Sequence, residues 1–176
     1  MINLRIKAWG LGLCLLSMTA TPYAANAEGN FNLKAVLTYN LARFVKWSPQ
    51  LEPKDTWQLC YFAEEYDLGF GSLDNKKLQG KVFHTKRLRE VWQASSCDIV
   101  YVDANNRKLL PRLFIALKNL PTLTASDSAG FIDQGGMIEI ISAETKLRFK
   151  VNQFEMKKVG LTMSSQALKL ALEVRS

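Results

Sequence analysis

The sequence lacks most of the motifs on which enzyme active sites are built. Its 176 residues include one histidine, His84, so no site that needs two histidines can come from a single chain. The G-x-S-x-G motif of serine hydrolases is absent, and residues 69–72 (Gly-Phe-Gly-Ser) are followed by neither the lysine nor the third glycine of a phosphate-binding loop. His84 lies among basic residues with no nucleophile nearby in sequence, so we interpret it as a half-exposed strand histidine. We therefore expect the protein not to be an enzyme.

The sequence also lacks an apolar run long enough to anchor it in a bilayer. Its longest run lies within residues 8–20 and is too short to span a membrane. Basic residues precede this run, and an A-x-A pattern ends at Ala27, directly before Glu28. This order predicts a secretory signal peptide over residues 1–27, with a buried N-terminal helix as the alternative. The expected mature protein is one domain, residues 28–176, without repeats or linkers.

Cysteine is scarce, and export changes what the remaining cysteines mean. Cys14 is lost with the signal peptide, which leaves Cys60 and Cys97 as an even pair in an oxidising compartment. A disulfide between them requires that the segments around them are neighbours in the fold, and two separate buried thiols are the alternative. Two cysteines and one histidine are too few ligands for a zinc site without carboxylates. We therefore predict no metal site and no cofactor.

The hydrophobic pattern predicts a globular α/β domain. Hydrophobic residues make up 48% of the chain and charged residues 22%, which is typical of a folded protein. Residues 99–102 (Ile-Val-Tyr-Val) form an apolar run that indicates a strand buried on both faces, as in a parallel sheet. Strands are predicted at 57–63, 81–87, 97–103, 122–126, 137–142 and 147–151. Helical segments are predicted at 31–47, 73–78, 88–94 and 105–119, between the Asn152–Glu155 capping box and Gly160, and after Ser164 or Ser165. We expect a Rossmann-like three-layer sandwich with a mostly parallel sheet and a C-terminal antiparallel strand pair.

Two of the predicted helices have an apolar face that we expect to pack in the core. Both faces follow from helical spacing of the large apolar residues. In the helix at 31–47 the face consists of Leu33, Val36, Leu37, Leu41, Phe44 and Val45, and in the last helix it consists of Leu168, Ala171 and Leu172.

Charged and aromatic residues indicate where a partner binds. The formal net charge is +7, and residues 76–89 hold a concentration of lysines and arginines. An exported protein seldom meets nucleic acid, so anionic lipid, cell-wall polymer or an acidic protein face suits this stretch better, and a solvated face without a partner is the default. Trp47, Trp92 and Phe131 lie near element ends. They are candidate aromatic anchors for a protein partner, with burial in the core as the alternative.

Several segments together resemble the YfiR-like family of periplasmic proteins, and they extend over most of residues 32–174. They are residues 34–47 (KAVLTYNLARFVKW), residues 123–127 (LTASD) with Phe131 and residues 135–138 (GGMI), and residues 148–152 (RFKVN) followed by Gly160-Leu161 and Ser164-Ser165. The resemblance implies that Cys60 and Cys97 occupy positions where such proteins place a disulfide. Some relatives have a second cysteine pair that this chain lacks, so redox sensing through a second bridge is not expected.

The resemblance also implies a function in the periplasm. Well-understood relatives are regulators without catalytic activity. They bind the periplasmic sensor domain of an inner-membrane diguanylate cyclase, hold it inactive and so lower cyclic-di-GMP, which links the family to biofilm regulation. Homodimerisation and other membrane sensors stay open as interactions, and nucleic acid is not an expected partner.

Two further classes of function stay open. The first is a periplasmic small-ligand-binding module that serves a membrane sensor or a transport system, because open α/β sheets form a crevice at the carboxyl ends of their strands. Residues 67–72 and 126–131 would line that crevice, and its ligand would be a small molecule or an envelope component. The second is an envelope hydrolase. It is disfavoured because the sequence shows no set of catalytic residues, and the adjacent acids Glu64 and Glu65 are expected to be solvated and not to act as a catalytic pair.

Overall fold

The computed structural model describes residues 23–47, 55–63, 68–143 and 146–176, with side chains from Leu33 onwards. The helices are α1 (Tyr23–Ala42), α2 (Leu68–Gly71), α3 (Leu110–Ala116), α4 (Gln153–Lys158) and α5 (Ser165–Leu168), with 3₁₀ helices at Val91–Ser96, Ala104–Leu109 and Ile132–Gln134. The strands are β1 (Val45–Trp47), β2 (Thr56–Phe62), β3 (Lys76–Leu78), β4 (Lys81–Arg87), β5 (Ile99–Val102), β6 (Leu123–Ser126), β7 (Ile138–Ala143), β8 (Lys146–Asn152), β9 (Leu161–Met163) and β10 (Glu173–Arg175).

Most of the predicted signal peptide lies outside these ranges. Helix α1 runs through the predicted cleavage site between Ala27 and Glu28. Cleavage there stays a prediction. Among the described helices, none has both the length and the apolar composition to cross a bilayer.

The strands form a large, mostly parallel sheet and a small antiparallel one. The large sheet has eight strands in the order β10-β8-β7-β6-β5-β2-β4-β3. Five of its neighbouring pairs are parallel, and the pairs β3–β4 and β7–β8 are antiparallel. Strands β1 and β9 pair separately. The predicted α/β class and C-terminal antiparallel pair are thus confirmed, while the finer Rossmann-like assignment stays a prediction.

The sheet has an apolar cluster on each face. Residues of β5 alternate between the clusters: Ile99 and Tyr101 belong to the first, and Val100 and Val102 to the second. Helix α1 contributes to the first cluster, while α3 and the 3₁₀ helix Val91–Ser96 contribute to the second. Central parallel strands need this double cover, because both of their faces must be removed from water. The result is the three-layer arrangement that the apolar run of β5 predicted.

On the second face, the end of the sheet formed by β6, β7 and β8 is covered by an irregular segment, residues 127–137. Its backbone is tied to buried polar side chains of all three strands. Thr124 and Ser126 accept hydrogen bonds from the amides of Met137 and Ser128, Glu139 accepts one from the amide of Ile132, and Asn152 donates one to the Ile132 carbonyl. Only the short 3₁₀ helix Ile132–Gln134 gives this segment regular structure, so it needs such partners, because buried unpaired backbone groups are costly.

Several local predictions were wrong at the level of single elements. Residues 73–78 form a turn and strand β3 instead of a helix. Helix α1 ends at Ala42, and the last residues of the predicted helix at 31–47 form strand β1 instead, which pairs with β9. That pairing joins segments far apart in sequence, and no local pattern encodes it.

The core face of α1 also differs from the prediction. Leu33, Val36 and Phe44 are exposed, whereas Ala35 and Thr38 are buried. The other half of the prediction is confirmed, because Leu41 and Val45 are buried in the first cluster and Leu37 packs against it.

Cys60 and Cys97 form a disulfide in the structure, with a Cα–Cα distance of 5.9 Å. Cys60 lies on β2, and Cys97 caps the C-terminal end of the 3₁₀ helix Val91–Ser96, just before β5. The bond therefore ties the sheet to the layer that covers its second face, and it does not join two strands as the sequence suggested. Both cysteines are buried in the second cluster.

We predict that removing this bond destabilises the domain without changing its fold. The double variant Cys60→Ala/Cys97→Ala should lose about 3–4 kcal/mol of unfolding free energy, the chain-entropy value for a loop of this length. Urea unfolding of oxidised protein measures this loss. Reductant should lower the midpoint of the wild type and leave that of the double variant unchanged. Equal stability of the oxidised and reduced wild type would contradict a structural role for the bond.

Candidate functional site

The C-terminal edge of the large sheet exposes a group of apolar side chains. Strand β10 is the last strand of the sheet, and no further strand lies beyond it among the described residues. Four residues on and beside it are exposed, to 55%, 67%, 49% and 38% of their surface, and we call them the C-terminal edge surface: Phe154, Leu170, Leu172 and Val174. An open strand edge with apolar neighbours is a typical site for another chain.

The end of α5 produces this exposure. The helix stops at Leu168, and the following turn leads the chain back to the sheet, where the amide of Leu172 donates to the Phe149 carbonyl over 2.8 Å. Val174 lies opposite Val151 of β8. Because β10 is an edge strand, Val174 has a neighbour on one side only. The prediction that Leu172 packs in the core of a longer helix was wrong for this reason.

Phe154 extends the surface from the neighbouring helix. It lies on α4, which packs against β10. The ammonium of Lys158 lies 4.3 Å from the centre of the Phe154 ring. This cation–π contact holds the ring on the surface while leaving more than half of it exposed.

A row of charged residues holds β10 on the sheet. Glu139, Lys150 and Glu173 are in register on β7, β8 and β10. Lys150 Nζ lies 4.0 Å from Glu139 Oε1 and 3.3 Å from Glu173 Oε2. Arg175 pairs with Glu173 and with Asp133 of the covering segment. The hydrogen bond from Arg175 lowers the pKa of Glu173, and the same bond raises the pKa of Arg175.

The sequence-predicted aromatic anchors have different environments. Trp92 is 71% exposed. Trp47 is half-buried: its ring centre is 4.5 Å from that of Trp57, and its indole N–H donates to the Pro121 carbonyl over 3.2 Å. The three residues do not form one exposed surface, because Phe131 is fully buried. Binding by Trp47 and Trp92 stays a prediction.

Phe131 is a core residue, which corrects its prediction as a surface anchor. Its ring belongs to the second cluster and packs over the backbone of Gly136. A Cβ atom at Gly136 would lie 2.2 Å from the Phe131 ring, far inside van der Waals contact. Phe131 and Gly136 therefore serve packing, because only a residue without a side chain fits beneath the ring.

A cleft of about 390 Å³ with both polar and apolar lining lies near the carboxyl end of β6. Its lining includes Lys34 of α1, Asp127, and Glu139 and Ser142 of β7. Lys34 and Asp127 form an ion pair with a distance of 2.5 Å. The predicted lining by residues 67–72 and 126–131 was largely wrong.

Much of that predicted lining is instead core. Phe70 is buried and stacks on Tyr61 at 4.8 Å between ring centres. Ser126 and Phe131 are also buried. Asp67 lies outside the described residues. The crevice is thus lined mainly by β7, with Asp127 and Ala129 from the segment after β6 and Lys34 from α1.

Three buried polar atoms close to this cleft form no hydrogen bond of normal geometry among the described residues, although the Tyr101 hydroxyl lies close to the Asp127 carboxylate. They are the Tyr101 hydroxyl, Asp127 Oδ1 and the Ser128 hydroxyl. Burial raises the pKa of Tyr101 well above its ordinary value, and the nearby carboxylate of Asp127 raises it further. Unpaired buried polar atoms are rare, and a bound water or ligand is one common reason for them.

The basic stretch forms the opposite edge of the sheet as the β3–β4 hairpin. Lys81 lies over the ring of Trp57, with its ammonium 5.3 Å from the ring centre. His84 is half-exposed, as predicted, and its Nδ1 lies 3.4 Å from Asp74 Oδ1. Binding of a partner to this stretch stays a prediction.

The C-terminal edge surface was not among the binding sites predicted from the sequence. The local signal was present, because Leu172, Glu173, Val174 and Arg175 alternate between apolar and charged residues, which is typical of a strand with two different faces. The apparent helical spacing of Leu168, Ala171 and Leu172 hid it. Four residues are too few to decide between the two periods without the neighbouring strand.

Comparison with known proteins supports the family and the fold. A family model described as YfiR/HmsC-like matches residues 31–172. A conserved domain protein from Vibrio cholerae O1 biovar eltor is similar in structure, with a TM-score of 0.53, 10% identity and coverage of 82% of this chain and 60% of that one. The ABC domain from Streptococcus pneumonia in complex with L-Trp has a TM-score of 0.55, 12% identity and coverage of 80% and 61%. This chain thus spans about three-fifths of each structure, and no curated protein matches it.

We predict that Gly136→Ala destabilises the domain, because the new methyl group must displace the Phe131 ring. Overpacking of this kind costs about 1–3 kcal/mol. The matched control is Gly71→Ala, where a Cβ atom meets nothing within 4 Å. Thermal and urea unfolding of both variants measure the difference. A Gly136→Ala variant as stable as Gly71→Ala would show that Phe131 is not held in this position.

Proposed function

Because the chain belongs to the YfiR/HmsC-like family, we propose that it is a periplasmic regulator that binds the sensor domain of an inner-membrane diguanylate cyclase and holds that enzyme inactive. Members of this family are periplasmic regulators in cyclic-di-GMP signalling. The disulfide between Cys60 and Cys97 is consistent with an oxidising compartment. Inhibition by contact requires no chemistry from the chain itself.

The observation that carries the proposal is the C-terminal edge surface. The outer side of β10 offers backbone donors and acceptors to an incoming strand, and the exposed side chains of Leu170, Leu172 and Val174 offer apolar contacts beside it. Binding by strand addition combines these two features, since the backbone gives affinity and the side chains give specificity. The charged row on β10 keeps the edge in place without a partner.

We predict that charge on this surface abolishes regulation. Deletion of the gene in its native host should raise cyclic-di-GMP, and the wild-type gene should restore the low level. The variant Leu170→Glu/Val174→Glu should leave the level as high as in the deletion strain, since charges in an apolar contact are expected to cost about tenfold or more in affinity. The nucleotide is measured in cell extracts, together with the amount of each variant in the periplasm.

Leu33→Glu is the matched control, because Leu33 is a leucine of similar exposure on α1. It should restore the low level. A second deletion, of the partner cyclase, should remove the rise seen in the first strain. The outcome against the proposal is an unchanged cyclic-di-GMP level in the single deletion while both proteins are made. Loss of regulation in Leu33→Glu but not in the double variant would place the contact on α1.

A second candidate function, recognition of a small ligand, is favoured by the unpaired atoms beside the cleft. Lys34 and Asp127 pair with each other at its wall through Asp127 Oδ2, so a charged ligand has to replace that ion pair, and Asp127 Oδ1 forms no hydrogen bond of normal geometry among the described residues. Ile140 and Ile141 add apolar lining. These groups suit a small zwitterion with one ammonium group, one carboxylate and an apolar side chain. In this alternative the ligand, rather than a protein, is the first partner.

The ligand proposal predicts that an amino acid stabilises the protein. L-tryptophan, present in one of the similar structures, and L-glutamate are the probes. The temperature of unfolding should rise with one of them, and Asp127→Asn should remove the rise because the ammonium partner is lost. Asp74→Asn, on an exposed turn, should leave it unchanged. Absence of a shift with both probes would count against an amino-acid site.

A further inference from the structure

The layer that covers the second face of the sheet exposes two large apolar side chains of its own. Trp92, on the 3₁₀ helix Val91–Ser96, is 71% exposed, and Ile115, on α3, is 76% exposed. These two elements pack against each other. Both exposures exceed those of the residues on the C-terminal edge surface. The two exposed side chains thus lie on adjoining elements of one layer, and exposed apolar surface of this kind is typical of an interaction site.

Basic residues are concentrated in the segment that carries Ile115. Residues 104–119 contain no aspartate or glutamate. Their exposed cations have no ion pair among the described residues: Arg107, Lys108, Arg112 and Lys118. One exposed cation and one exposed anion, Arg89 and Glu90, precede Trp92 in the chain. We call Trp92, Ile115 and these cations the basic aromatic face.

The face points away from the core by helical geometry. Arg112, Ile115 and Lys118 follow each other at intervals of three residues and so share one side of α3 and its extension. Leu113 and Leu117 lie on the opposite side and are buried in the second cluster. The apolar and cationic groups therefore lie together on one outward surface.

We propose that the basic aromatic face docks onto an anionic phospholipid surface. Tryptophan is enriched at the boundary between lipid headgroups and acyl chains, where its ring is partly apolar and partly polar. Clustered lysines and arginines are attracted to anionic headgroups, and a nearby apolar group adds burial. Because the face is cationic, it should prefer an anionic lipid surface to a neutral one.

This face is separate from the C-terminal edge surface. Val174 lies beside Val151, which belongs to the first cluster, whereas α3 covers the second. A protein contact at β10 and a lipid contact at α3 therefore do not compete for the same residues. The docking proposal does not depend on the proposed regulatory function, since it rests on the composition and exposure of this face alone.

The test measures sedimentation of the exported chain, residues 28–176, with lipid vesicles. One set is phosphatidylcholine alone, and the other is an equal mixture of phosphatidylcholine and phosphatidylglycerol. We expect binding to the anionic set, weakened by added salt, since salt screens exposed charges. The double variant Lys108→Glu/Arg112→Glu should bind about tenfold or more weakly because it reverses two cations at the surface. Trp92→Ser should also reduce binding and should remove a blue shift of tryptophan emission on vesicles.

The matched control is Lys157→Glu/Lys169→Glu, at exposed lysines of α4 and of the end of α5 that lie outside the basic stretch 76–89, which makes the same change in net charge. It should bind like the wild type. An equal loss in this control would show attraction by net charge only and overturn the assignment to this face. Absence of binding at low salt, or equal binding to both vesicle sets, would overturn the proposal. If the wild type does not bind vesicles but Trp92→Ser loses regulation in cells, the face contacts a protein instead of lipid.

Discussion

Every side chain of β5 is buried, with Ile99 and Tyr101 in one apolar cluster and Val100 and Val102 in the other. A strand with two apolar faces requires cover on both sides, and this requirement organises the chain. Helix α1 supplies the cover on the first side, and α3 with the 3₁₀ helix Val91–Ser96 supplies it on the second. The disulfide adds a covalent tie between the sheet and the second layer. The covering layers lie over the central strands of the sheet and end toward its edge strands β10 and β3. The edges are therefore more exposed than the centre.

The segment that covers β6, β7 and β8 on the second face is held mainly by hydrogen bonds to buried polar side chains of these strands. Thr124, Ser126, Glu139 and Asn152 are buried and pair with its backbone, and Phe131 fills the space above Gly136. Burial of polar groups is tolerated because each forms a hydrogen bond. Several of these residues belong to the segments that resemble the family, so those segments specify packing. The features that distinguish a partner lie on the surface instead, at the C-terminal edge and on the basic aromatic face.

The predictable part of the fold was local. The strands at 57–63, 81–87, 97–103 and 122–126 and the hydrogen bonds by which Asn152 and Ser164 cap α4 and α5 follow from patterns within a few residues. The pairing of β1 with β9 and the addition of β10 depend on segments that are distant in sequence. The candidate site was predicted less well for the same reason. Trp92 is exposed as a partner anchor must be, but Phe131 is buried, because aromatic residues near element ends serve cores and surfaces alike.

The sequence by itself determined the α/β class, the doubly buried central strand and the family, because periodicity, turn residues and motif spacing are properties of the chain before it folds. It also limited the catalytic chemistry, since composition does not change on folding. The tertiary structure alone decided which apolar residues remain in water. Leu33, Leu170 and Ile115 resemble core residues in sequence, and they are exposed because the elements that carry them turn another face to the sheet or end at its edge. Burial is a relation between distant segments, and for that reason only the folded chain fixes where a partner finds apolar surface.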